Sequence, residues 1–85
     1  MSEEKQIGKV FSFFSKISVA ALEITDEGLV LGDKIHFKGS TTDFEQEVDS
    51  MQIEGKEVQE VAPGKSVGIK VKDRVRPGDL IYKVI

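Results

Sequence analysis

The sequence has no cysteine, tryptophan or asparagine among its 85 residues. Without cysteine there can be no disulfide, no thiolate metal ligand and no cysteine nucleophile, so the core must be stable without cross-links. No apolar run approaches the roughly 20 residues that a membrane-spanning helix needs. Residues 1–6 also lack the basic and apolar regions of a secretory signal. We therefore predict a cytoplasmic protein that does not enter a membrane.

Charge is distributed unevenly along the chain, although the net charge is only −3. Residues 41–60 carry seven acidic side chains and one lysine, whereas residues 66–85 carry five basic side chains and two acidic ones. This balance excludes a uniformly basic nucleic-acid-binding protein, but it is compatible with a local basic surface.

The pattern of apolar residues predicts an all-β fold. Ile35 and Phe37 alternate with polar residues, and so do Val67, Ile69 and Val71, as in half-buried strands. Segments separated by turn residues every 8–12 positions indicate a sandwich or barrel. Predicted strands span residues 7–14, 17–24, 33–38, 44–53, 66–72 and 80–85, with a bulge near residues 49–50.

A chain of 85 residues corresponds to one domain. Residues 1–6 are predicted to be a flexible N-terminus, and residues 7–85 a single β-barrel domain. The strand phases assign twelve side chains to the core: Val10, Leu22, Ile24, Ile35, Phe37, Val48, Met51, Ile53, Val67, Ile69, Val71 and Leu80. Phe11 and Phe44 are assigned to the core as well.

Five glycine- and valine-containing motifs follow one another along the chain. They are Gly8-Lys9-Val10, Val30-Leu31-Gly32-Asp33-Lys34-Ile35, Val48-Asp49-Ser50-Met51, Ala62-Pro63-Gly64-Lys65-Ser66-Val67-Gly68-Ile69 and Arg76-Pro77-Gly78-Asp79-Leu80-Ile81. In this order they resemble the second domain of translational GTPases such as elongation factor Tu, and the stand-alone translation elongation factor-like proteins. The chain also resembles the barrel appended to some collagenase-like peptidases. The resemblance implies a closed six-stranded Greek-key β-barrel without a GTPase domain.

The candidate chemical motifs favour a protein without catalytic activity, metal or cofactor. Gly64-Lys65-Ser66 matches the end of a phosphate-binding loop, but Gln59 occupies the position of the required first glycine, and a strand rather than a helix follows. We therefore predict that no nucleotide cofactor is bound. His36 is the only histidine, and we expect it to be solvated on a strand face. A row formed by Glu45, Glu47 and Asp49 could bind a hard cation, but it is more simply a solvated face.

The basic residues of the second half of the chain suggest a partner. If the strands come together, a nucleic-acid-binding surface would contain Lys16, Lys38, Lys70, Lys72, Arg74, Arg76 and Lys83. Phe13, Phe14 or Tyr82 would offer a stacking surface. With the resemblance, this predicts a non-catalytic binding module for RNA (tRNA or ribosome) or a translation-associated protein. The alternative is an accessory barrel that acts in trans with a peptidase-like or GTPase partner.

Overall fold

A computed structural model describes residues 3–84. All of its regular structure is β, which confirms the predicted all-β class, and none of these residues forms a helix that could cross a membrane. The cytoplasmic location stays a prediction. The strands are β1 (Glu4–Phe14), β2 (Val19–Ile24), β3 (Leu29–Val30), β4 (Lys34–Lys38), β5 (Asp43–Glu47), β6 (Met51–Ile53), β7 (Lys56–Val58), β8 (Glu60–Val61), β9 (Ser66–Lys70) and β10 (Leu80–Val84).

Eight of these strands form one antiparallel sheet in the order β5-β4-β10-β1-β2-β9-β6-β7, and β3 pairs with β8 in a second, two-stranded sheet. Neither sheet of the described chain closes on itself, so the prediction of a closed six-stranded Greek-key barrel is wrong in closure and in strand number. The cause lies in the segment predicted as one strand over residues 44–53. Its first half, β5, is one edge of the large sheet, whereas β6 lies near the opposite edge.

The side chain of Gln46 spans part of the open seam between these two regions. Its Nε2 donates to the carbonyl oxygen of Lys70 at 2.9 Å, and its Oε1 accepts from the backbone N–H of Lys72 at 3.0 Å. Gln46 is buried, so these bonds satisfy polar groups that water cannot reach easily. A side chain thus makes the contact across the seam that backbone pairing would make in a closed barrel.

The core lies on the inner face of the large sheet, and ten of the twelve core residues predicted from strand phase are buried. The other two, Ile53 and Leu80, are only half-buried. Leu80 pairs with Lys38 and Lys9 on the outer face, and Ile81, paired with Phe37, takes the inner position. The buried apolar side chains missed by the prediction are Ile7, Ala20, Leu29, Val61, Val75 and Ile81.

Two predictions for the N-terminal region differ from the structure. β1 begins at Glu4, and Glu4–Gln6 pair with the end of β10, so half of the predicted flexible terminus lies in a central strand. Met1, Ser2 and, at the other end, Ile85 lie outside the described residues. Phe11 is 50% exposed rather than buried, because the register of β1 shifts between Val10 and Ser12 and places Phe11 in a bulge.

Candidate functional site

The outer face of the large sheet carries a row of paired residues across four strands, and the residues on three of these strands are small. Ser12 of β1 pairs with Ala21 of β2, Ala21 pairs with Gly68 of β9, and Gly68 pairs with Gln52 of β6. Directly paired residues of antiparallel strands project to the same side of a sheet. The inner face, in contrast, presents buried apolar side chains such as Leu22 and Ile69, so all four residues of this row belong to the opposite surface.

A depression of about 500 Å³ lies along this row. Ala21 and Gly68 form its floor, because the side chain of Ala21 is a single methyl group and Gly68 has no side chain. The depression, which we call the outer trough, is lined chiefly by Phe11, Ala21, Gln52, Ile53, Lys65 and Gly68.

Gly68 differs from the other seven glycines because neither its backbone conformation nor steric crowding requires glycine there. Five of the others have φ between +69° and +96°. At Gly8 an added Cβ would lie 2.2 Å from the carbonyl oxygen of Glu23, and at Gly39 it would lie 2.0 Å from Oδ1 of Asp79. At Gly68 the nearest atom, Cγ1 of Val19, is 3.4 Å away, an ordinary contact. The fold therefore leaves the absence of a side chain at Gly68 unexplained.

Exposed apolar side chains continue from the outer trough toward the turn between β1 and β2. Phe11 is 50% exposed, Phe14 51% and Ile17 61%. Val19, which pairs with Phe14, is half-buried on the same face. We call Phe14, Ile17 and Val19 the apolar rim. Contiguous exposed apolar groups of this kind are typical of interaction surfaces.

The predicted basic residues do not form one stripe. Lys16 lies in the β1–β2 turn, Lys38 ends β4, Lys70 ends β9, and Lys72, Arg74 and Arg76 follow in the segment before β10. The ammonium of Lys38 lies 5.7 Å from the centre of the Tyr82 ring. Arg74 and Arg76 line a separate groove together with the acidic Asp43 and Asp73.

Lys83 is directed away from the other members of that set. It pairs with Ile35, a core residue, and its Nζ lies 3.2 Å from Oδ2 of Asp33. Both side chains are about three-quarters buried. The same Asp33 carboxylate accepts the backbone N–H of Val30 at 2.9 Å. Lys83 therefore has a structural partner in the fold.

His36 lies on the outer face of β4, as strand alternation predicts, but it is not solvated. Its side chain is 12% exposed because carboxylates cover both ring nitrogens. Nδ1 lies 2.7 Å from Oε2 of Glu4 in β1, and Nε2 is hydrogen-bonded to Asp43 in β5. The hydrogen bond with Asp43 is the main cause that raises the pKa of His36 above its ordinary 6.5, and Glu4 adds to the increase against the opposing effect of burial.

One group of side chains around His36 could approach a common cation. One ligand atom each from Glu4, His36 and Glu45 lies within 4.8 Å of the other two. The carboxylate of Glu45 is, however, 3.3 Å from Nζ of Lys34, and the ring nitrogens of His36 are occupied as described. Of the predicted acidic row, Glu47 and Asp49 are exposed and stand apart from this group. The arrangement is accounted for by ion pairs and hydrogen bonds.

Comparison with known proteins identifies the relatives of the chain. It is 42% identical over 78 residues to an uncharacterized protease of Methanocaldococcus jannaschii. The match covers 91% of this chain and 19% of that protein. Two collagenases of Porphyromonas gingivalis match at 34% and 36% identity, over 23% and 19% of their lengths. The matched relatives are peptidases. The chain spans about a fifth of their length, and no protein-family model matches it.

Solved structures agree with these peptidase relatives. Two crystal structures of the C-terminal domain of a Geobacillus thermoleovorans protein, assigned to the U32 peptidases, superpose with a TM-score of 0.84. They share 22% and 24% identity with this chain and cover 91% of it, and 96% and 89% of those domains are matched. The likeness establishes that the fold is the one adopted by this peptidase domain.

These findings overturn the identification with translation elongation factors. The relatives are peptidases and collagenases, and the structural neighbour is a U32 peptidase domain. The translation-factor and RNA-binding interpretation of the chain is therefore wrong. The resemblance to the barrel of collagenase-like peptidases, also visible in the sequence, was the informative one. Sequence reasoning missed the outer trough, for which the one available signal was a glycine inside an alternating strand at position 68.

Proposed function

We propose that this chain is a non-catalytic accessory module that docks onto the body of a peptidase. The proposal is carried chiefly by the match to the M. jannaschii protease, which takes in 91% of this chain but only 19% of its relative. The other four fifths of such a relative would contain the peptidase body. Exposed apolar side chains gathered on one face provide the kind of surface that such an interaction uses.

The surroundings of His36 support a role without catalysis. A histidine that activates a serine or threonine needs a ring nitrogen within hydrogen-bonding reach of the hydroxyl. Both nitrogens of His36 contact carboxylates, and among residues 3–84 no hydroxyl group shares a hydrogen bond with the ring. The only histidine of the chain is therefore committed to joining β1, β4 and β5.

Docking can be tested by grafting this chain in place of the matching segment of the M. jannaschii protease. Hydroxyl-radical footprinting then measures side-chain exposure in the graft and in the isolated chain. We expect a contiguous set of surface side chains to react with hydroxyl radicals at least threefold more slowly in the graft than in the isolated chain. Equal reactivity of every exposed side chain in a folded graft would disprove docking.

The absence of catalysis needs a separate assay of the isolated chain. Incubation with collagen, casein and a mixed peptide library should produce no new termini detectable by mass spectrometry. Cleavage that co-purifies with the chain and disappears in His36→Ala would show that the module is itself a peptidase. Cleavage that survives His36→Ala and is absent from a freshly refolded sample would indicate a contaminant, in agreement with the proposal.

A further inference from the structure

We propose that the outer trough receives an apolar side chain of the peptidase body, carried on a segment with a carboxylate next to that side chain. This inference rests on the proposed function and specifies the surface and the chemistry of the contact. It starts from Gly68, the one glycine whose missing side chain the fold does not require. A partner that fills the space above Gly68 explains why that space is kept open.

Phe11 gives the trough its preference for apolar groups. The bulge in β1 places this aromatic ring on the outer face, where half of its surface is exposed beside the floor of Ala21 and Gly68. Ile53 lines the same depression. An aromatic or branched aliphatic side chain that lies on the floor would contact the Phe11 ring and remove apolar surface from water.

The neighbouring charges favour a carboxylate on the partner. Lys16 lies in the turn that carries the apolar rim, and Lys70 pairs with Val19 of that rim. Neither lysine has an acidic partner within residues 3–84. Glu54 and Lys65, which carry opposite charges, both line the trough itself. The carboxylate of the partner should therefore lie toward the apolar rim, where opposite charges meet and like charges are kept apart.

The peptidase body is the occupant that the relatives indicate. In them the matching region is one fifth of a longer chain, so the body is joined covalently to the module. Such a connection gives an effective concentration of the order of millimolar for a short flexible linker. A contact too weak to hold two separate molecules together can therefore favour docking of a module that is covalently joined.

A capped dipeptide tests the chemistry of the trough in the complete chain. We expect N-acetyl-Phe-Glu-amide, titrated into the 15N-labelled protein, to shift the amide signals of Phe11, Ala21 and Gly68. N-acetyl-Ser-Glu-amide should bind at least tenfold more weakly, and so should the Phe-Glu peptide with Gly68→Val. Val30→Ser, which removes an apolar side chain that is 45% exposed elsewhere, should leave binding unchanged. Equal shifts with both peptides would overturn the proposal.

The graft described above tests the identity of the occupant. Footprinting should show protection of Phe11 and Phe14 that Gly68→Val abolishes, with Gly68→Ala and Phe11→Ser as second variants if the valine variant does not fold. Protection confined to another surface would overturn the assignment to the trough and leave docking itself intact. Peptide binding without any protection would show that the trough takes free peptides and not the body. Loss of Phe11 reactivity on raising the concentration of the isolated chain would indicate a second copy as the occupant, contrary to the proposal.

Discussion

The side-chain amide of Gln46 donates a hydrogen bond to the carbonyl oxygen of Lys70, 24 residues along the chain and across the open seam of the sheet. The same side chain accepts the N–H of Lys72, so one residue satisfies backbone groups on both sides of the end of β9. Strand β5 is an edge of the large sheet, and this contact anchors it to a region that its backbone does not reach.

Replacing Gln46 by glutamate should destabilise the protein, because a carboxylate cannot donate to the Lys70 carbonyl and leaves it without its partner. We expect the free energy of unfolding, measured by urea denaturation at pH 7, to fall by about 1–3 kcal/mol. Gln52→Glu is the matched control, since Gln52 is exposed, and it should change stability by no more than about 0.5 kcal/mol. Equal effects of the two substitutions would contradict a structural role for Gln46.

Ile69 should be among the most sensitive core positions. It is 1% exposed and pairs with Ala20 and Met51 on the inner face. Ile69→Ala should lower the free energy of unfolding by about 2–5 kcal/mol, through lost burial and the cavity left behind. Ile17→Ala makes the same chemical change where the side chain is 61% exposed, and it should have little effect. A small loss at Ile69 would mean that β9 has the opposite face inward.

Stability should depend on pH through His36. Since its pKa is raised in the folded protein, the group stabilises the fold fully below pH 6.5, and this contribution is lost as the pH rises through the raised value. The free energy of unfolding should therefore decline above pH 6.5 in the wild type and stay flatter in His36→Gln. Thermal unfolding of both proteins at pH 5.5, 6.5, 7.5 and 8.5 would measure this pH dependence of stability.

Two substitutions of carboxylates distinguish the contribution of His36 from the general effect of removing a negative charge. Asp43→Asn replaces a charged hydrogen-bond acceptor of His36 by a weaker neutral one and should shift the decline to lower pH. Glu45→Gln changes a neighbouring carboxylate that contacts Lys34, and it should shift the pH of the decline in stability by a smaller amount. NMR titration of the His36 ring reports the pKa directly in each protein. A pKa at or below 6.5 in the wild type would contradict the described geometry.

Replacing each of the two glycines within strands by alanine should have opposite effects on the free energy of unfolding. Gly8→Ala places Cβ 2.2 Å from the Glu23 carbonyl oxygen, so the backbone must move, and we expect a loss of about 1–3 kcal/mol or more. Gly68→Ala introduces only an ordinary contact of 3.4 Å with Val19, and alanine is favoured over glycine in a strand. It should be neutral or slightly stabilising in the same chemical denaturation experiment. A large loss at Gly68 would give that glycine a structural explanation.

The sequence was informative where a local rule decided the structure. Ile35 and Phe37 alternate with polar residues, and alternation alone identifies their buried face. At Leu80 and Ile81 two adjacent apolar residues compete for one inward position, and the register with Lys38 and Phe37 decides between them. The outer trough depends on the pairing of Ala21, Gly68 and Gln52 from three strands, which no single segment contains.

The glycine turns explain why the resemblance to translation factors was misleading. Gly32, Gly64 and Gly78 have φ of 92°, 89° and 96°, a backbone conformation that strongly favours glycine. Motifs centred on them record how a chain turns between strands. Proteins with similar turns therefore share these motifs whatever they bind, and evidence for function must come from side chains such as Phe11 and from the relatives.

The pairing of Glu4 with Val84 places the first and last strands side by side. A linker of a few glycines and serines could therefore join the two ends of this chain, and new ends could be opened at Gly55, in the exposed turn between β6 and β7. Such a circular permutant would keep every strand pair of the large sheet while reversing the order in which its two halves are synthesised. The new ends would lie at the edge of the outer trough, because the adjacent Glu54 lines that depression.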